Sequence, residues 1–124
     1  MDKPKILVVD DDPICSSLLL SALGDDYHVT TINSGIHAIE LASSLQPQCI
    51  FLDIMMPEKN GYQVLKDLQS DTLTNQIPVI IISGLNEDSD EDLALRLGAK
   101  DYIFKPINPD DVYNKLAKHL KLDE

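Results

Sequence analysis

Cys49-Ile50-Phe51-Leu52-Asp53-Ile54-Met55-Met56-Pro57 decides the fold. Its first four residues are apolar without alternation, the pattern of a strand buried on both faces of a parallel sheet. A lone carboxylate closing such a run is costly unless it sits at the strand terminus and does chemistry there. Ile6-Leu7-Val8-Val9 is built the same way and runs into Asp10-Asp11-Asp12. Laid side by side as parallel strands, the two runs bring up to four carboxylates to one edge of a sheet. Such a cluster suits a hard cation and a phosphoryl group.

The flanking sequence supplies the rest of that sheet. Asp12-Pro13 starts a helix, Asp12 as N-cap and Pro13 at the first helical position, and Gly24 stops it after Leu23. His28–Ile32 alternates as an edge strand. Ser34 is expected to cap a helix from about Gly35 to Leu45. Pro57–Gly61 is a turn leading into a helix that carries Val64, Leu65 and Leu68. Asp71–Gln76 is a polar loop, and Pro78–Ile82 is the most apolar strand, ended by Ser83-Gly84. Asn86–Leu97 is an acid-headed helix closed by Gly98, and Tyr102–Phe104 is a fifth strand ended by Lys105-Pro106. Asn108 or Asp110 caps the last helix, in which Val112, Leu116 and Leu120 recur every four residues. Five β-α units predict an α/β fold with a parallel sheet, helices on both faces and right-handed crossovers. Ligands of such sheets bind beyond the carboxyl ends of the strands. Asp10, Asp11, Asp53, Ser83 and Lys105 are therefore expected on one rim.

Bulk properties narrow the function. The 124 residues fit one domain, 44% hydrophobic and 25% charged, with a formal net charge of −11 and a pI of about 4.4. That field argues against direct binding to nucleic acid or to an anionic membrane. No apolar stretch approaches the roughly 20 residues of a membrane span, and the opening does not read as a signal peptide. Cys15 and Cys49 stand far apart in apolar contexts, which predicts two buried reduced thiols and a cytoplasmic protein. His28, His37 and His119 show no metal-ligand spacing.

Val8-Val9-Asp10-Asp11, Leu52-Asp53-Ile54-Met55-Met56-Pro57, Gly61, Ile82-Ser83-Gly84, Gly98-Ala99 and Tyr102-Ile103-Phe104-Lys105-Pro106 together resemble the receiver domain of two-component response regulators, of the chemotaxis-regulator kind. The blocks cover essentially the whole chain, residues 1–124, as a single receiver domain. The resemblance implies a flavodoxin-like (βα)5 fold with strand order 2-1-3-4-5. It implies Asp53 as phosphoacceptor, Asp11 as a direct metal ligand, Asp10 acting largely through a metal-bound water, and the Met55 backbone carbonyl as a further ligand. Ser83 would give its hydroxyl, and Lys105 its ammonium, to phosphoryl oxygens. The cofactor implied is Mg2+, or Mn2+ in its place. The partners implied are a histidine kinase or histidine-phosphotransfer protein upstream and a downstream protein or fused output domain; a phosphorylation-dependent homodimer is also open. Ser83 and Tyr102 would form the switch that alters the surface of the fourth helix, fifth strand and fifth helix. The chain would be a signalling module that catalyses only its own phosphorylation and dephosphorylation. The resemblance further implies a cis Lys105-Pro106 bond.

The residues themselves support this chemistry. Two carboxylates about 4 Å apart repel by roughly 4 kcal/mol at an effective dielectric of about 20. Asp11 and Asp53 facing each other therefore call for a cation, and Mg2+ suits an all-oxygen site. Asp12 falls outside the metal set and caps its helix. Ser83 keeps the hydroxyl where the family often has Thr, and Gly84 replaces the commoner Ala, leaving room above the site. Met55 and Leu85, two residues after Asp53 and Ser83, are apolar and orient no water, which predicts slow loss of the phosphoryl group.

Other features carry two readings. Tyr102 reads as a strand aromatic or a switch. The block Glu87–Asp92 reads as a solvated helix start, where acids are favourable, or as a docking patch for a basic partner. Lys115, Lys118 and Lys121 form a basic stripe on the last helix. Leu18-Leu19-Leu20 cannot all face the sheet, so one is expected at the surface, where a phosphodonor helix docks in the family. Two rival functions remain. A haloacid-dehalogenase-like phosphatase would use Asp10 within Asp10-Asp11-Asp12, but it needs Gly-Thr where Pro13-Ile14 stands. A pseudo-receiver would bind partners without phosphate.

Overall fold

The computed structural model of the chain describes residues 3–56, 59–84 and 88–120. Strands and helices alternate as β1 (Lys5–Val9), α1 (Pro13–Leu23), β2 (His28–Ile32), α2 (Ala38–Leu45), β3 (Cys49–Asp53), α3 (Gly61–Ser70), β4 (Val79–Ser83), α4 (Asp88–Arg96), β5 (Asp101–Phe104) and α5 (Pro109–Leu120). The strands form one parallel sheet in the order β2-β1-β3-β4-β5, as expected.

The period of two along each strand splits the core in half. Leu7, Val9, Ile50, Leu52 and Ile81 pack with Ala38 and Ala42 of α2 and with Val64, Leu65 and Leu68 of α3. Ile6, Val8, Phe51, Ile80 and Ile82 face the other way, onto Cys15, Leu19 and Leu23 of α1 and Val112 and Leu116 of α5. All five residues of β3 and of β4 are buried, which explains why those runs do not alternate. Each such aliphatic side chain contributes roughly 1.5–3 kcal/mol by leaving water. Cys15 of α1 and Cys49 of β3 are buried free thiols. No described helix is long and apolar enough to cross a membrane.

Several local expectations need correction. Ser34 does not cap α2. Its hydroxyl accepts the Ile36 N–H at 3.2 Å in a short turn, and the helix begins only at Ala38, behind a His37 that makes no side-chain cap. A Cβ at Gly35 would collide with the Val64 side chain and the Lys59 carbonyl, so this turn is pressed against α3. Gly24 ends α1 in the right-handed region (φ −63°), not the left-handed one; a Cβ there would lie 2.6 Å from Leu20 O, which its N–H meets at 2.8 Å. Gly98 does end α4 with a positive φ of 112°, its N–H bonded to Leu95 O and that of Ala99 to Ala94 O. Of the three consecutive leucines of α1, Leu18 and Leu20 are exposed and Leu19 is buried. The polar loop after α3 hides Thr74, whose hydroxyl donates to Leu68 O at 2.7 Å. Asn108, not Asp110, caps α5, accepting the N–H groups of Asp110 and Asp111. The start of the acid-headed helix at Asn86 and the residue Lys121 lie outside the described residues.

Candidate functional site

The sheet register builds the site. Val9 of β1 pairs with Leu52 of β3, so the next residues, Asp10 and Asp53, emerge side by side. Asp53 in turn lies against Ile82, which places Ser83 one step further along the rim. Ser83 O accepts the Lys105 N–H at 2.8 Å, bringing the end of β5 into the same group. One inter-strand bond and two turns hold these ends. The Asp10 N–H is bonded to Ile32 O at 3.0 Å. Asp10 Oδ1 accepts the Asp12 N–H at 2.9 Å, and Asp53 Oδ1 accepts the Met55 N–H at 3.2 Å. Gly61 closes the loop after β3, its N–H on Ile54 O at 2.9 Å. Any Cβ there would strike the Asp53 carbonyl, so only glycine lets α3 begin so close to β3.

Oxygens of Asp10, Asp11 and Asp53 lie within 4.8 Å of one another. Asp10 and Asp53 are each 2% exposed and Ser83 is fully buried, whereas Asp11 stands in solvent. The Lys105 ammonium sits over the group, 3.4 Å from Asp53 Oδ2 and 3.2 Å from Asp10 Oδ2. Its hydrogen bond to Asp10 goes to Oδ1, at 3.4 Å; Asp10 Oδ2 is buried and accepts no hydrogen bond among the described residues. Burial and then the Asp10 charge push the Asp53 carboxyl up to about 7, against the lowering from Lys105 and the Met55 N–H. Burial acts to lower the Lys105 ammonium, but the charges of Asp10 and Asp53 outweigh it and hold it above its ordinary value. One ammonium therefore under-neutralises this rim. A buried carboxylate oxygen that shares one ammonium with its neighbours and accepts no hydrogen bond among the described residues, beside two more carboxylates, fits a hard divalent cation with all-oxygen ligands. A cleft of about 580 Å³ adjoins the acids, between Ser16 and Ser17 of α1 on one side and Thr31 of β2 and Asn33 just after it on the other.

Most of the expected site residues thus meet. Asp10, Asp11, Asp53, Ser83 and Lys105 share the rim, and the Met55 backbone is tied to Asp53 while its side chain is exposed. Tyr102 is 1% exposed, its ring 5.0 Å from that of Phe104, and a hydrogen bond joins it to Ser83. Lys105-Pro106 is cis. Among the described residues, a Cβ at Gly84 would meet nothing within 4 Å. Leu85, the second apolar neighbour, lies outside the described residues. Lys115 is not part of an outer stripe: it donates to Tyr102 O at 3.1 Å and faces Asp111 and Asp101. His119 is not idle either, its Nε2 lying 2.9 Å from Asp101 Oδ2. Sequence alone did not find Lys105 facing Asp12, at 3.8 Å, because 93 residues of chain separate them and no pattern links a helix cap to a strand end.

Comparison with known proteins gives the class. The family model of the response regulator receiver domain matches residues 6–117, and the chain belongs to that family. Phosphorylation and magnesium binding are typical of the family. The chain is 36% identical over 121 residues to the alkaline phosphatase synthesis transcriptional regulatory protein PhoP of Bacillus subtilis, covering 97% of this chain and 50% of that protein. It is 34% identical over 116 residues to a probable cyclic di-GMP phosphodiesterase of Vibrio cholerae, covering 94% of this chain and 26% of that one. The chain thus spans half or less of these two curated relatives. Among solved structures, the BeF3-activated N-terminal receiver domain of Klebsiella pneumoniae RstA superposes with a TM-score of 0.87 at 34% identity, over 94% of this chain and 98% of that one. The chain is a receiver domain of the two-component response regulators, a signalling module; the dehalogenase-like alternative is not favoured.

Proposed function

We propose that residues 1–124 form one receiver domain that takes a phosphoryl group onto Asp53 from the phosphohistidine of a kinase or phosphotransfer protein, with Mg2+ as cofactor. The observation that carries this reading is the buried Asp53–Asp10 pair, short of positive charge and capped, among the described residues, by a single ammonium. Asp10, Asp11, Asp53 and the Met55 carbonyl would hold the ion, and Mn2+ would serve as well. When bound, the ion supplies the charge that lets carboxylates and phosphoryl oxygens come together.

The remaining work falls to this chain's residues. An Asp53 oxygen bonds to phosphorus as the bond to the donor imidazole breaks, and that imidazole keeps the electron pair. Lys105 offers a compact positive charge to one phosphoryl oxygen. Ser83 offers its hydroxyl to another. Its existing hydrogen bond to Tyr102 couples that movement to β5 and α5. The donor docks on α1, where Ile14 and Leu18 are exposed beside a groove of about 310 Å³ that reaches Lys105 and Ile107. The altered surface of α4, β5 and α5 then meets a downstream protein, a fused output domain or a second copy of the chain. We place this in the cytoplasm, where the Cys15 and Cys49 thiols stay reduced, and expect turnover only of the chain's own acyl phosphate.

Incubation with a small acyl phosphate and Mg2+, followed by intact mass, tests the reading. One phosphoryl adduct is expected on the wild type and none on Asp53→Asn. An unmodified wild type would favour a phosphate-independent binding module.

A further inference from the structure

The sequence reads Asp12 as a helix cap and nothing more. Its two carboxylate oxygens have different neighbours. Oδ1 accepts the Ile14 N–H at 3.0 Å and caps α1. Oδ2 lies 3.8 Å from Lys105 Nζ. The Asp12 side chain is 42% exposed, against 1% for Asp10 and 3% for Asp53. Lys105 therefore bridges an inner, buried pair and one outer carboxylate.

The inner contacts of the ammonium go to the carboxylates that the proposed Mg2+ would use. Two cations on the same oxygens repel. A lysine head moves easily on its four-carbon stem, whereas the backbone at Lys105 is tied to Ser83. The charge that awaits it further out is Asp12. The cap hydrogen bond fixes that carboxylate, so its second oxygen stays aimed at the ammonium.

We propose that Asp12 is a positioning residue for Lys105: its second oxygen holds the ammonium at the outer edge of the pocket when a divalent cation takes the inner oxygens of Asp10 and Asp53. This rests on the metal-dependent reading above. Capping and holding are separable jobs of one carboxylate. Asparagine caps as well as aspartate but carries no charge; glutamate keeps the charge and gives up the cap.

The test is Mg2+ titration of the whole unphosphorylated chain by calorimetry at about 0.15 M salt, where long-range charge effects are screened. Asp12→Asn is expected to weaken Mg2+ binding about fivefold when Lys105 is present. In the Lys105→Met background the same substitution is expected to change affinity by less than about twofold. Asp12→Glu retains most of the wild-type affinity while melting at a lower temperature, and Asp12→Asn melts close to the wild type. An equal loss from Asp12→Asn in both backgrounds, or none in either, overturns the proposal, since it leaves only a through-space charge or a cap. If the wild type binds no Mg2+, both this inference and the functional reading fall; if it binds normally without the coupling, only this inference does.

Discussion

Strand β5 joins two clusters of the same residue types that behave in opposite ways. Just past its carboxyl end, Lys105 faces Asp10, Asp12 and Asp53, three acids to one base. At its start, Asp101 meets His119 at 2.9 Å, Lys115 at 3.9 Å and the Tyr102 N–H at 2.9 Å. Burial alone would raise both carboxyls. At Asp101 the hydrogen bonds from His119 and Tyr102 and the Lys115 charge reverse that and hold it below its ordinary value. At Asp53 burial and the Asp10 charge prevail and carry it up to about 7. The satisfied aspartate serves the architecture, and the one left short of positive charge is the one proposed for the chemistry.

That contrast can be broken by experiment. The largest effect should come from Mg2+ itself. At about 100 times its dissociation constant it should stabilise the wild type by about 2.7 kcal/mol. Asp53→Asn should lose most of that gain and Asp101→Asn should keep it, as followed by urea unfolding with and without the ion. Equal gains in both variants would remove the distinction.

Without metal, Asp53→Asn should itself be more stable than the wild type by about 2 kcal/mol at pH 8. The sign follows from the raised value. A carboxyl held above its unfolded value gives its full contribution below about 4 and loses it as pH rises through about 7. The variant's advantage should therefore appear between those limits and vanish at pH 3.5. A variant less stable at pH 8 would contradict the electrostatic account.

Asp101→Asn should do the reverse, costing about 1 kcal/mol at pH 7. Because the Asp101 carboxyl is held below its ordinary value, its contribution is present above about 4 and lost as pH falls through the lower folded value. Thermal melts at pH 7 and pH 3 would show it as a gap that closes in acid. The smallest effect concerns the lifetime of the phosphoryl group. Met55 is exposed and apolar beside Asp53, so Met55→Asn should speed its loss about fivefold, equivalent to about 1 kcal/mol of barrier. Phosphate release timed after removal of the donor measures it, and an unchanged or slower loss counts against the role.

The fold was legible because β3 and β4 are buried on both faces, and such strands announce themselves as unbroken apolar runs. The rim followed from it, since parallel strands must end on the same side. What stayed hidden was local competition. Ser34 could cap a helix or close a turn, and the closeness of Gly35 to Val64 decided for the turn. The capping box of Asn60 and Gln63 was visible as spacing but is overshadowed by the neighbouring Pro-Gly turn signal. Lys115 looked like a surface base because a helical stripe does not reveal that Asp101 and the Tyr102 carbonyl wait beneath it.

The strand order has a mechanical result. Strand β3, which carries Asp53, is clamped between two ladders, to β1 and to β4, and cannot slide without breaking both. β5, which carries Tyr102 and leads to Lys105, is laddered on one side only. β2 is the other such margin, so topology leaves two free edges, and of the two only β5 runs on into a charged group of the rim, Lys105, through which a change at the rigid middle of the sheet can reach the outside.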